Sequence, residues 1–250
     1  MIEKALKYIV GMRKAEQFEI DGRKYTDKEI YPIKNPQAGT LQSSTLTSII
    51  DYIASKEKNE GFIIEIQTPD RVILGSKIFG DFKQREKYLQ ASANLPRINF
   101  GDFVTSENFI IDLQAKFTNF RAQNEDGTLI ETDGHTAELL AIAGNLSSQK
   151  LNKFSDDGVT QTTEVRTGIV NTVEAVIPNP VTLAPFRTFP EIEQVPSEFI
   201  FRMKEGQNGI VMALIEAAGG AWEAQTIQRI KHYLTEQLHE KGIRGITILA

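Results

Sequence analysis

The sequence predicts an α+β fold: a largely antiparallel, mixed sheet with packed helices and a C-terminal strand–turn–strand–helix unit. Three observations predict it. Apolar residues recur at helical spacing, as in Leu46, Ile49, Ile50 and Ile53. Short apolar runs are joined by turn pairs such as Asp21-Gly22 and Pro69-Asp70, which is hairpin chemistry. Helices and hairpins also cluster by type rather than alternating strictly as βαβ units, and that favours antiparallel pairing.

The elements follow in order. Ile2, Leu6, Ile9 and Val10 share a helical face that ends near Gly11. Phe18-Glu19-Ile20 and Arg23-Lys24-Tyr25 flank Asp21-Gly22, a pair that accepts the positive φ of a tight turn. The segment from Tyr31 to Gly39 holds Pro32 and Pro36 and reads as a loop. Residues 1–40 are therefore expected to form a helix and hairpin arm, and residues 41–250 an α+β core. A helix is predicted from Leu46 to about Glu57, with Ser44 or Thr45 as its cap. Phe62–Ile66 and Arg71–Leu74 make a second hairpin. Phe82–Gln90 fits a strand or a helix equally well.

Phe79-Gly80-Asp81-Phe82 recurs as Phe100-Gly101-Asp102-Phe103. Shared turn chemistry is the simpler account, because two copies make no solenoid. The second copy leads into a helix capped by Thr105 or Ser106, with Phe109, Ile110, Leu113 and Phe117 inward. Asn119–Gly134 is polar and reads as an exposed hairpin tip or loop. Thr136–Leu146 is helical, with Leu139, Leu140 and Ala143 inward. Two subdomains are expected to meet near 147–158. Thr160–Val165 and Ile169–Ile177 are rich in Thr and Val, as strands are.

The closing unit is the clearest. Phe199, Phe201 and Met203 alternate with Ile200, Arg202 and Lys204, which gives a strand with one apolar face. Ile210–Ile215 is nearly continuous apolar, so cover on both faces is expected. Gly219-Gly220 breaks the chain before a helix with the stripe Ile227, Ile230, Leu234 and Leu238. Ile243–Leu249 reads as a last strand.

Composition limits the function. The 250 residues are 40% hydrophobic and 24% charged, ordinary values for a globular protein able to bury a sizeable core. A net charge of −5 argues against coating nucleic acid through bulk charge. With no cysteine there is no disulfide, iron–sulfur cluster or cysteine zinc site. The N-terminal stretch lacks a continuous apolar h-region, and no window approaches the roughly 18 apolar residues of a membrane span. A cytoplasmic protein is the expectation.

Catalytic signatures are sparse. His135 sits in Asp133-Gly134-His135-Thr136, where a polar turn capping the next helix is a simpler reading than a metal or acid–base site. His232 and His239 flank the polar side of the last helix, and no His-Glu-x-x-His pattern occurs. There is no P-loop, no dinucleotide fingerprint, no nucleophile elbow and no kinase signature. Carboxylates at Glu65, Asp70, Asp81 and Asp102 are the best candidates for a metal nuclease, but each reads more simply as a strand surface or turn residue. Asp156-Asp157-Gly158 is a turn rather than a calcium loop. No metal and no cofactor are expected, and the reading leans away from an enzyme.

Basic and aromatic residues interleave twice. Lys83, Arg85, Lys87 and Tyr88 form one set, read as a solvated edge. Phe186, Arg187, Phe189, Phe201 and Arg202 form the other. Arg187 lies between phenylalanines in a proline-bounded segment, a setting that can aim a guanidinium at an anion. Arg187, Arg202, Lys83 and Arg85 are therefore the candidate ligand or anion-binding residues.

Several stretches carry a family resemblance. They are Thr40-Leu41-Gln42-Ser43 leading into the helix to Ile53, the hairpin Ile63–Leu74 followed by Arg85-x-x-Tyr88, Gly101-Asp102-Phe103 before Glu107–Gln114, Asp157-Gly158-Val159 before a Thr-rich strand, and the C-terminal unit. Over about Leu41–Leu238 the chain resembles the YfdQ-like family of bacteriophage and prophage proteins, which has no established biochemical function. The resemblance implies a temperate-phage accessory protein in the cytoplasm of the bacterial host, and it supplies no catalytic residues.

The function expected is binding without catalysis. The chain would modulate host machinery or counter an antiviral defence, by sequestering a protein or a signalling molecule. A homo-oligomer is expected, since the apolar strand at Ile243–Leu249 suits pairing between subunits. The alternative is a nucleic-acid accessory protein of phage replication or recombination, with Lys83, Arg85, Lys87, Arg187 and Arg202 along the strand path. A third reading is an enzyme built on Asp81, Asp102, Asp133 and His135.

Overall fold

The computed structural model describes residues 2–12, 15–26, 38–56, 61–80, 83–118, 121–123, 129–131, 135–147, 154–156, 161–167, 171–176, 179–207 and 209–250. Helices and mostly antiparallel sheets make up an α+β fold. The chain separates into two compact units, Met1–Ala38 with Ile78–Arg85, and Gly39–Lys77 with Glu86–Ala250.

The first unit contains α1 (Ile2–Met12) and a hairpin of β1 (Gln17–Ile20) and β2 (Arg23–Thr26). Asp21 and Gly22 take φ of 52° and 74°, as the turn pair requires. Phe18 and Tyr25 face each other in register and stack at 6.1 Å. Phe79 and Gln84 close a small antiparallel bridge in the same unit.

The second unit begins with β3 (Leu41–Ser43) and α2 (Thr47–Ala54). Next come β4 (Phe62–Thr68), β5 (Arg71–Ser76), β6 (Lys87–Ser92), β7 (Val104–Thr105) and α3 (Ser106–Lys116). The hairpin β8 (Arg121–Gln123) and β9 (Leu129–Glu131) precedes α4 (Thr136–Ser147). The strands β10 (Phe154–Asp156), β11 (Gln161–Thr167), β12 (Asn171–Val176) and β13 (Val181–Leu183) follow. The chain closes with β14 (Ser197–Gly206), β15 (Gly209–Glu216), α5 (Ala221–Glu240) and β16 (Thr247–Leu249).

Two cores form in this unit. The first lies under a five-stranded sheet in the order β16-β4-β5-β6-β3, whose outer strands join parallel and whose inner pairs are antiparallel. On β4, Phe62, Ile64 and Ile66 are buried in alternation, while Glu65 is exposed on the other face. They meet Ile49, Ile50 and Ile53 of α2 and Ile230, Leu234 and Leu238 of α5. The second core lies on an antiparallel sheet in the order β13-β14-β15-β7. Phe199, Phe201, Met203, Met212 and Leu214 share its inner face. Against them pack Phe109, Leu113 and Phe117 around α3, and Leu139, Ile142 and Ala143 of α4.

The C-terminal strand–turn–strand–helix unit therefore has its elements in the predicted order, but it divides between the two cores. Its strands belong to the second core and its helix to the first. Gly219 and Gly220, at φ of 57° and 78°, turn the chain away from the sheet before α5 begins. On β15 the expected double cover is incomplete: Met212, Ala213 and Leu214 are buried, but Ile215 is 38% exposed.

Two caps distinguish local from distant control. Thr105 caps α3, its hydroxyl accepting from the amide of Asn108 at 3.4 Å. Helix α2 has Leu46 at the N-cap, with no side-chain bond from either predicted residue. Instead Glu191 Oε1 accepts from the amide and the hydroxyl of Thr47, both at 3.1 Å. A carboxylate at that end also meets the positive pole of the helix. The helix is shorter than expected, with Ser55 as its C-cap.

Phe82–Gln90, ambiguous in sequence, contains the start of β6. The two echoing motifs share a positive-φ glycine, Gly80 at 67° and Gly101 at 87°, but they fall in different units. Asp81, Asp133, Asp157, Gly158, residues 27–37 of the N-terminal loop and most of the expected 147–158 junction lie outside the described residues.

Candidate functional site

A strap at residues 184–195 joins the two cores. It docks first on the end of α3: the Thr118 amide donates to Ala184 O at 2.8 Å, and the Phe186 amide to Lys116 O at 2.9 Å. The second bond satisfies a carbonyl that the helix end leaves open. Further on, the Thr188 hydroxyl donates to Pro69 O in the β4–β5 turn, and Phe189 is fully buried in the first core. Glu191 then caps α2, as described above. Successive strap residues thus grip α3, the β4–β5 turn and α2.

Arg187 fixes the middle of the strap. Its amide donates to Gln194 Oε1 at 2.8 Å. Its guanidinium donates through Nη1 to Glu216 Oε1 at 2.5 Å and through Nη2 to Ser197 Oγ at 2.6 Å. The guanidinium carbon lies 3.8 Å from the centre of the Trp222 ring, on the first turn of α5, and 5.7 Å from that of Phe199. Such stacking on indole suits a weakly hydrated cation. The side chain is 9% exposed, whereas Glu216 is 39% exposed. Burial pulls the Arg187 pKa down to about 10; Glu216, by charge and hydrogen bond, and then Glu223 oppose that shift. The group stays charged at neutral pH, with its terminal nitrogens committed inside the chain.

Beside this clamp lies an open cleft of about 500 Å³. Phe186, Thr188, Pro190, Ile192 and Gln194 form one wall, with Phe186 and Pro190 exposed and Thr188, Ile192 and Gln194 largely buried behind them. Ser44 and Thr45, ahead of α2, and residues 94–96, after β6, line the rest together with Thr118. Glu193 stands at the lip. Its Oε2 and its carbonyl oxygen both accept from Arg229 Nη1 at 3.0 Å. The cleft falls within the range of about 300–1,000 Å³ usual for small-molecule sites.

The remaining sequence candidates fall in both units. Lys83 and Arg85 belong to the first unit, Arg187 and Arg202 to the second. On β14, Arg202 alternates with Phe201 and Met203 and lies on the sheet face opposite Ser197, the strand partner of Arg187. The structure therefore does not gather Arg187 and Arg202 into one path. His135 Nδ1 accepts from the Thr182 amide at 2.9 Å, and its own amide donates to Thr182 O at 3.3 Å. These reciprocal bonds tie the start of α4 to β13 and leave the ring proton on Nε2. His232 pairs with Glu236 on the exposed side of α5 at 3.1 Å. Asp102 is exposed, and Asp70 accepts from the Thr68 hydroxyl within its turn.

Among the described residues no group of three or more histidine, aspartate and glutamate side chains is placed to hold a metal ion. No described helix is long and apolar enough to cross a membrane. Glu216, Trp222, Gln194 and Glu191 were not found by sequence reasoning. The one available signal was the setting of Arg187 itself, a cation between phenylalanines that needs a partner. No known protein family, characterised protein or solved structure matches the chain.

Proposed function

We propose that this protein acts by binding, with the cleft beside the 184–195 strap as its seat. The observation that carries the reading is a cleft of about 500 Å³ whose wall is held from behind by the buried Arg187 clamp. A wall fixed in advance lowers the ordering cost of binding. Apolar surface at Leu95, Pro96 and Phe186, with a few convergent polar groups, is the usual make-up of a small-molecule site. The resemblance supplies the setting: a phage or prophage accessory protein that sequesters a small signalling molecule and so modulates host machinery or counters an antiviral defence.

Native mass spectrometry of the chain purified from cells that express it tests this reading. The wild type is expected to carry a small-molecule adduct. Ser44→Trp, which places an indole at the exposed wall of the cleft, should lose it while melting as the wild type does. An adduct of equal occupancy in both proteins, or none in the wild type, overturns the reading.

A further inference from the structure

We infer that the cleft takes a neutral, hydroxyl-bearing ring, a saccharide or the sugar of a nucleoside, and discriminates against the phosphorylated form. The inference rests on the binding reading above and concerns the chemistry of the ligand.

Among the described residues neither arginine nor lysine lines the cleft, so no side-chain cation there compensates a phosphate taken out of water. Glu193 is the one ionisable lining residue among those described, and Arg229 already meets its carboxylate at 3.0 Å. The described lining thus presents no unpaired charged side chain. The clamp next door sharpens the contrast: the buried Arg187 spends its charge on Glu216 rather than on the cleft.

The cleft also mixes two kinds of surface. Leu95, Pro96 and Phe186 offer apolar area, with the buried Ile192 beneath, and Phe186 is 36% exposed. Such a floor suits the C–H face of a ring. Around it stand Ser44, Asn94 and Thr118, whose side chains carry no hydrogen bond among the described residues. Hydroxyls and carboxamides both donate and accept. Alcohol groups do the same, so a polyol ring can satisfy them in either sense. Gln194 is different: its oxygen holds the Arg187 amide and its nitrogen the Ile192 carbonyl, so it fixes the wall.

Ligand-observed saturation-transfer NMR on the full chain tests the inference. The probes are neutral mono- and disaccharides, nucleosides, and the phosphates of each. Neutral members are expected to receive saturation, and each phosphate to bind at least about tenfold more weakly than its parent. Signal from saccharides alone, or from nucleosides alone, tells the two sources apart. Phe186→Ala should weaken the neutral ligand by about tenfold. Arg229→Met, which leaves the Glu193 carboxylate unmatched, should raise the affinity of an amino sugar relative to the parent sugar. A phosphate that outbinds its parent and is displaced by Ser44→Trp overturns the ligand class while leaving the cleft as the binding site. Silence from every neutral probe also overturns the ligand class, whatever adduct mass spectrometry finds.

Discussion

Two arginine–carboxylate pairs flank the cleft, and they differ in burial. Arg187–Glu216 has its cation 9% exposed, stacked on Trp222 and bonded to Ser197. Arg229–Glu193 is open on both sides, at 39% and 76%. The chemistry is the same, but the consequences are not. An exposed pair is screened and contributes little. A buried cation costs desolvation, and removing its partners leaves that cost unmet. The lowered pKa of Arg187 expresses this cost. Between about 10 and its ordinary value the folded chain holds fewer protons than the unfolded one. Stability from this group therefore rises with pH across that window, and below it the buried charge opposes folding. The clamp is kept for where it holds the strap, not for net stabilisation by the charge itself.

The largest expected effect follows from that difference. Arg187→Ala removes the link between β14, β15, the start of α5 and the strap, and should destabilise the chain by about 2–3 kcal/mol in urea unfolding, as emptying a buried side-chain site does. Much of that is lost packing against Trp222 and Phe199, since the Glu216 carboxylate can return to water. A loss below about 1 kcal/mol would mean that the two pairs are equivalent and the comparison empty.

Glu191 sits between these extremes. It is a part-buried carboxylate, and its Oε1 supplies the cap that α2 lacks in its own sequence. Glu191→Ala should cost about 1 kcal/mol, as the loss of a capping acceptor does. The melting temperature should fall, and amide exchange should quicken first at Thr47. Unchanged exchange there would remove Glu191 from the capping role.

The same residues show how far the sequence could be read. Periodicity is local, so the Phe199–Phe201–Met203 face and the Ile230–Leu234–Leu238 stripe were legible and are buried as expected. Caps are legible only when they come from nearby, as Thr105 does for α3. The α2 cap arrives from a residue 144 positions away, whereas the local pattern points to Ser44 or Thr45. Arg187 stood out by its setting, but its partner Glu216 lies 29 positions on. The destination of α5 was hidden for a related reason. Consecutive elements usually pack together, whereas here paired glycines turn the helix towards the other sheet. The cleft drew no signal at all, because its walls come from four separate stretches of chain with no motif among them.

The smallest expected effect is the sharpest check on the two-pair comparison. Arg229→Met keeps a long apolar side chain and removes only the charge and its bonds to Glu193. Stability should change by no more than about 0.5 kcal/mol, because both partners remain hydrated. Paired with Arg187→Ala, the two changes should add to within about 0.5 kcal/mol, since the clamp and the lip share no bonding partner. Coupling of 1 kcal/mol or more would show instead that the strap transmits strain from the lip to the clamp. The buried and exposed pairs would then be parts of one network, and ligand contact at Glu193 would be felt at Arg187.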